Sequence, residues 1–239
     1  MCKLKSGIIL KDRIFVPDYD SHTAMLNELK ITDDYLGASK KFVRVELSPT
    51  DNDVFSDIDS WELNVDQDIT PDWFTEEEYK PKMVEAVKEW AKTHIHIGVN
   101  NLKIDSGENH YIKNCKDVVI CGSATVKNIC DSATVEYIYG SATVEYICGS
   151  ATVENICGSA TVENICGSAT VKNIYGSATV KNIYGSATVI SSPYTKWKNA
   201  DSLILADNAT FKDNYGKVIY QSGNYKLLSV KSGRIASAQ

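Results

Sequence analysis

The sequence predicts a mostly β protein: a flattened β-solenoid preceded by a small α+β domain. Three observations lead there. The stretch GSATVENICGSATVENICGSATVKNIYGSATVKNIYGSATV (149–189) repeats one nine-residue phrase almost without variation. Polar and apolar residues alternate with period two inside each copy, the signature of a half-buried strand. Residues 1–98 show no such repeat and mix short strand patterns with helical spacing, while the 239-residue length allows two domains.

The first domain reads as strand, strand, helix, strand, strand, helix. KSGIIL and RIFVP form a hairpin around Lys11 and Asp12. Asp20 or Ser21 caps a short helix carrying Met25, Leu26 and Leu29. FVRVEL and SWELNV are alternating strands. Thr75-Glu76-Glu77-Glu78 matches a capping box, with Pro81 as an alternative helix start. That helix places Met83, Val84, Val87, Trp90, Ala91 and Ile95 at helical spacing and ends before Gly98, the expected domain boundary. The order fits a small sheet with helices on one side.

Net charge is −6, but it is unevenly spread. Residues 1–98 carry 12 Lys and Arg against 20 Asp and Glu, and the remaining residues 13 against 11. Positions 45–79 hold twelve acids and no base, Asp51, Asp53, Asp57, Asp59, Asp66 and Asp68 among them. Such a field repels nucleic acid, so no direct nucleic-acid binding is expected, and it favours basic partners or cations, the plainer alternative being solvated loops around two strands and a helix start.

Numbered from its glycine, the repeat is Gly-Ser-Ala-Thr-Val-(Glu/Lys)-(Asn/Tyr)-Ile-(Cys/Tyr), with eight copies starting at Gly122, Asp131, Gly140, Gly149, Gly158, Gly167, Gly176 and Gly185. Alternation places Ile, Gly, Ala and Val on an inner face, while the Asn at position seven breaks the pattern and suits a sharp corner. Two copies then make one coil of 18 residues, stable as a stack with covered ends rather than as single repeats. VNNLKIDSGENHYIKNCKDVVIC before the clean copies and LILADNATFKD after them extend the array, and KVIYQSGNYKLLSVKSG supplies closing strands.

Stacking lets copies be compared at intervals of 18. Lys127, Glu145, Glu163 and Lys181 form one column and Glu136, Glu154 and Lys172 another, each tempering its carboxylates with lysine. Position nine gives Cys130, Cys148, Cys166 and Tyr184 on one side and Cys121, Tyr139, Cys157 and Tyr175 on the other. Because Tyr replaces Cys there, the position reads as a moderately apolar outer site and not as a disulfide or metal site. Ordered aromatic stripes are seldom left bare, so Tyr139, Tyr175 and Tyr184, with Cys130, Cys148 and Cys166, are the candidate interface of a homo-oligomer, a homodimer in the simplest case.

Other chemistry has thin support. Cys2, exposed as an N-terminal nucleophile by loss of Met1, is the one catalytic candidate. His94, His96 and His110 offer metal ligands but read better as a helix end passing into strands. The repeat lacks the recurring Asp of calcium-binding nonapeptides, and neither a cofactor nor a metal is expected. Seven cysteines without a signal sequence read as reduced thiols, and no run approaches eighteen apolar residues, so a cytoplasmic location without a membrane span is expected.

From MCKLKSGIIL through NVDQDITPDWF and VKEWAKTHI into the SATV-type nonapeptides, the chain resembles uncharacterised bacteriophage and gut-bacterial proteins in which a small N-terminal domain precedes a variable number of such repeats. The resemblance implies a mobile-element origin, in the cytoplasm of a bacterial host, for a protein that acts by binding host factors. The expected function is a non-enzymatic binding and scaffold protein, its acidic domain recognising a host protein and its solenoid self-associating. The alternatives are a Cys2 hydrolase of amidotransferase type, an acidic DNA-mimic decoy, and an ice-binding solenoid using the Ser-x-Thr grid.

Overall fold

The computed structural model describes residues 4–32, 41–190, 203–205, 209–212, 218–220, 226–231 and 234–237. The chain divides into two compact units, Met1–Ile95 and His96–Gln239.

In the first unit Lys5–Leu10 (β1), Ile14–Phe15 (β2), Phe42–Ser48 (β3) and Glu62–Val65 (β4) form an antiparallel sheet in the order β2-β1-β3-β4. Helix α1, His22–Glu28, is capped by Ser21, whose side chain accepts from the Ala24 N–H. Helix α2, Glu76–His94, is capped by Thr75 accepting from Glu78 N–H and contains Pro81 in its interior, so the capping box and not the proline sets its start. Every residue of β1 is buried, and the parity of the strand shows why. Ile8 and Leu10 share a cluster with Met25, Leu26 and Phe42, whereas Gly7, on the opposite face, leaves room for Met83, whose Cε would lie 2.8 Å from an added Cβ. The helices therefore cover opposite faces of the sheet, where the sequence suggested one side.

The second unit is a β-solenoid of about six turns. One sheet stacks Lys103–Ile104, Val118–Ile120, Thr134–Ile138, Thr152–Ile156, Thr170–Ile174, Thr188–Ile190 and Thr210–Lys212. The other stacks Ile95–Ile97, His110–Lys113, Thr125–Cys130, Thr143–Ile147, Thr161–Ile165, Thr179–Ile183 and Leu203–Leu205. Pairing is parallel and in register over 18 residues, as in Thr134↔Thr152 and Ile138↔Ile156. The degenerate flanks join the array as expected, and Ile95–Ile97 is already a solenoid strand, so the boundary lies before Gly98. At the far end Val218–Tyr220 and Lys226–Lys231 add antiparallel, followed by Arg234–Ser237, and occupy edges that would otherwise offer bare ladder groups.

Each copy contributes Ala, Val and Ile to a continuous interior, all at 0–1 % exposure from Ala124 to Val189. Burying the Val and Ile yields roughly 3–6 kcal/mol per copy. Two expectations from the alternation fail. The repeat glycines lie outside the core, at the turn, with φ between +62° and +77°. A Cβ there would meet the backbone of the coil before it, as at Gly167, 2.9 Å from Gly149 N. The asparagines are not corners either, since they lie within the strands. Val and Ile are both inward with two outward residues between them, so the strand kinks at position six, which the ladder passes over. The Asn Nδ2 groups of Asn155, Asn164 and Asn173 donate to the carbonyls of Glu136, Glu145 and Glu154 in the preceding coil, each at 3.1 Å. Asparagine is selected there because its side chain satisfies a carbonyl that the kinked ladder leaves over.

Candidate functional site

The solenoid carries its chemistry in columns. Within the strands Lys127 pairs with Glu145 at 2.8 Å, Lys172 with Glu154 at 2.6 Å and Lys181 with Glu163 at 2.5 Å, as the 18-residue comparison anticipated. These pairs are half-exposed and each adds little stability. Serine lies in the turn and threonine in the strand, so the two hydroxyls do not share one strand face.

At position nine, where each strand runs into its turn, the side chains stack between coils. Cys130, Cys148 and Cys166 are free, half-buried thiols that follow one another coil by coil, and Tyr184 continues the column. The neighbouring Cys130 thiol, with a smaller contribution from Cys166, holds the Cys148 thiol down to about 7 against burial and the charge of Asp131, which oppose it. Cys130 is pushed up by its Cys148 neighbour and by burial, and its S–H donates to the Ile112 carbonyl at 3.5 Å. On the other side Cys121 meets Tyr139 and Cys157 meets Tyr175, whose hydroxyl is pushed up to about 12 by its hydrogen bond to Cys157 and by burial.

Of the three tyrosines expected at an interface, Tyr139 is exposed (39 %), while Tyr175 and Tyr184 are half-buried against their cysteine neighbours. The sequence reading missed Tyr137. It occupies position seven in place of Asn, is 41 % exposed and packs edge-on to Tyr139 with centroids 6.5 Å apart. The signal was present, as Tyr137 and Tyr146 stand where five other copies carry Asn. Among the described residues the exposed large apolar side chains of this unit are Ile97, Val99, Tyr137 and Tyr139.

The acidic candidates do two jobs in the first unit. Asp51 accepts from Asp53 N–H at 3.0 Å, Asp53 from Phe55 N–H at 3.0 Å and Asp57 from Asp59 N–H at 3.1 Å, so these carboxylates build consecutive turns. Asp59 pairs with Lys88 at 2.7 Å. Asp51, Asp57, Asp59, Asp66 and Asp68 are exposed and Asp53 half-buried.

Cys2 lies outside the described residues. The three histidines separate: buried His94 donates from Nδ1 to the Trp90 carbonyl at 2.8 Å, whereas His96 and His110 stack on each other, ring centroids 5.7 Å apart. Among the described residues the one cluster offering three potential ligand atoms is His22, Glu46 and Asp66, missed in the sequence because its members come from α1, β3 and the segment after β4. His22 Nε2 donates to the Val45 carbonyl at 3.1 Å and Nδ1 lies 3.0 Å from Asp66 Oδ2. Nearby in sequence, Lys5 is fully buried with Nζ 2.6 Å from Asp20 and 4.9 Å from the Trp90 ring centre. Clefts among the described residues of this unit include one of about 390 Å³ beside α1 at Leu26 and Ile31 and one of about 300 Å³ at Lys11, Arg13, Tyr79 and Lys82.

Comparison with protein-family models, with curated proteins and with solved structures found no match. No helix among the described residues is long and apolar enough to cross a membrane.

Proposed function

We propose that the chain is a non-enzymatic binding and scaffold protein of phage or mobile-element type, in which the solenoid mediates self-association and the acidic unit recognises a basic surface of a host protein. The observation that carries this reading is the Tyr137–Tyr139 pair. Tyrosine presents large contact area at low entropic cost, and here two rings stand exposed side by side on the parallel-stacked solenoid. The interior is filled by Ala, Val and Ile, so the solenoid supplies length and a repeating surface.

For the acidic unit, the support is the exposure of Asp51, Asp57, Asp59, Asp66 and Asp68 within a stretch of twelve acids and no base. The test uses the full chain as bait in bacterial lysate beside a variant with these five residues changed to Asn. Asn retains the turn-capping geometry at positions 51 and 57, and at positions 59 and 66 it keeps a hydrogen-bonding side chain toward Lys88 and His22 while removing the charge. A host protein retained by the wild type and released both by the variant and by raised salt is the expected result. Equal retention by both baits would overturn recognition through this surface.

A further inference from the structure

We propose that the Cys130–Cys148–Cys166 column binds a soft monovalent d10 metal cation of the copper(I) class, held between the thiolates of two adjacent coils, with Cys148 as the shared ligand.

The interchange of Cys and Tyr at position nine argues against such a site only if the position is taken as a whole. Column by column the distribution differs. On one side Cys130, Cys148 and Cys166 are contiguous; on the other Cys121 and Cys157 are separated by Tyr139, and Cys157 is followed by Tyr175. The parallel register is what makes contiguity chemical. Cys148 N–H donates to the Ile129 carbonyl at 2.9 Å and Cys166 N–H to the Ile147 carbonyl at 2.8 Å, so the three residues repeat at the strand spacing, about 4.8 Å. Two metal–sulfur bonds of about 2.3 Å in line span about 4.6 Å, close to that pitch. Two-coordinate, linear thiolate binding is the habit of soft d10 monovalent ions, and soft sulfur ligands select them over harder cations.

Two further features fit. The thiols are free and half-buried, and the in-register ladder holds them in one column at the strand spacing. Binding replaces the thiol protons of both ligating cysteines, giving two thiolates on one monovalent cation, an S–metal–S unit of net charge −1 in which each sulfur keeps its carbon bond and no electron is transferred. Lys113 and Asp131 form an ion pair, 3.6 Å, beside the Cys130 end, so the nearest formal charges offset each other.

The repeat supplies its own controls. Cys148→Tyr makes a substitution that the array already carries at Tyr139, Tyr175 and Tyr184, and it leaves no adjacent pair in the column. Cys157→Tyr removes a thiol that has only tyrosine neighbours. The experiment is anaerobic titration of the reduced full chain with copper(I) against a coloured copper(I) chelator, with circular dichroism of each variant. The expected result is that the wild type withdraws an equivalent of copper(I) from the chelator, Cys157→Tyr withdraws the same amount, and Cys148→Tyr loses that equivalent with its strand signal unchanged. Failure of the wild type to compete, equal uptake by Cys148→Tyr, or equal loss in Cys157→Tyr would each overturn the assignment. If Cys148→Tyr disturbs the strand signal, Cys148→Ser replaces it in the same comparison.

Discussion

Replacing Gly149 by alanine separates two costs that the turn glycines combine, because Gly98 carries one of them alone. Both have positive φ, +64° at Gly149 and +65° at Gly98, so alanine at either position bears the left-handed backbone penalty of roughly 1–2 kcal/mol. At Gly98 an added Cβ has nothing within 4 Å. At Gly149 it would sit 2.6 Å from Asp131 N and 2.9 Å from Asp131 Cα, both backbone atoms of the preceding coil. Restoring ordinary contact at about 3.5 Å requires the coils to part locally by about 0.9 Å. Ser150 N–H to Asp131 O, now 2.8 Å, and Cys148 N–H to Ile129 O, now 2.9 Å, would both be stretched beyond hydrogen-bonding range. Each such bond contributes about 0.5–1.5 kcal/mol, which brings the loss at Gly149 to about 2–5 kcal/mol against about 1–2 at Gly98. Urea denaturation followed by circular dichroism measures the difference, provided the slopes match. Equal losses at the two positions would refute the claim that coil-to-coil approach, and not turn conformation, fixes glycine here.

Ile156, fully buried in the middle of the stack, should lose about 0.5–1.5 kcal/mol as Ile156→Val and about 2–5 kcal/mol as Ile156→Ala, read from the same unfolding curves. Asn164→Ala leaves the Glu145 carbonyl without its side-chain donor and should cost about 0.5–1 kcal/mol, less than a buried bond because water reaches the site; thermal unfolding beside Asn164→Asp, which keeps the size but removes the donor, checks the cause. In the first unit Asp20→Ala removes the carboxylate 2.6 Å from fully buried Lys5 and should destabilise by about 3–5 kcal/mol, with unfolding confined to residues 4–95 by hydrogen exchange. Cys148, lowered from 9.0 to about 7, contributes stability that is present above pH 9 and lost as pH falls through about 7. Its alkylation by iodoacetamide should therefore rise through about pH 7, while Cys148→Ser abolishes that step.

Much of the solenoid was legible because a repeat carries its own comparison. The 18-residue coil, the strand spacing and the Lys–Glu columns all follow from aligning the copies, and Lys127–Glu145 and Lys181–Glu163 pair accordingly. The turn was misread because period-two alternation was carried from Ile through Gly to Ala, as if the chain stayed extended there. The three residues between Ile165 and Ala169 instead make the corner, with Gly167 at φ +64°. Asn164 was taken for the corner because its side-chain bond to Glu145 O joins different coils and leaves no mark within one copy. Tyr137 was missed for a related reason: the tyrosines were sought at position nine, where the stacking on neighbouring coils that leaves Tyr175 and Tyr184 half-buried is invisible in sequence. The His22–Glu46–Asp66 cluster depends on the β1-β3-β4 register, which no local pattern encodes.

Sedimentation equilibrium of the full chain, beside a Tyr137→Arg, Tyr139→Arg double variant, tests the scaffold reading most directly. Both rings are exposed, so the substitutions leave the interior intact and place two like charges on the proposed contact. The account predicts a dimer mass for the wild type and a monomer mass for the variant, with identical strand content by circular dichroism. A wild-type monomer across the accessible concentration range, or a dimer that both proteins form equally, would contradict it.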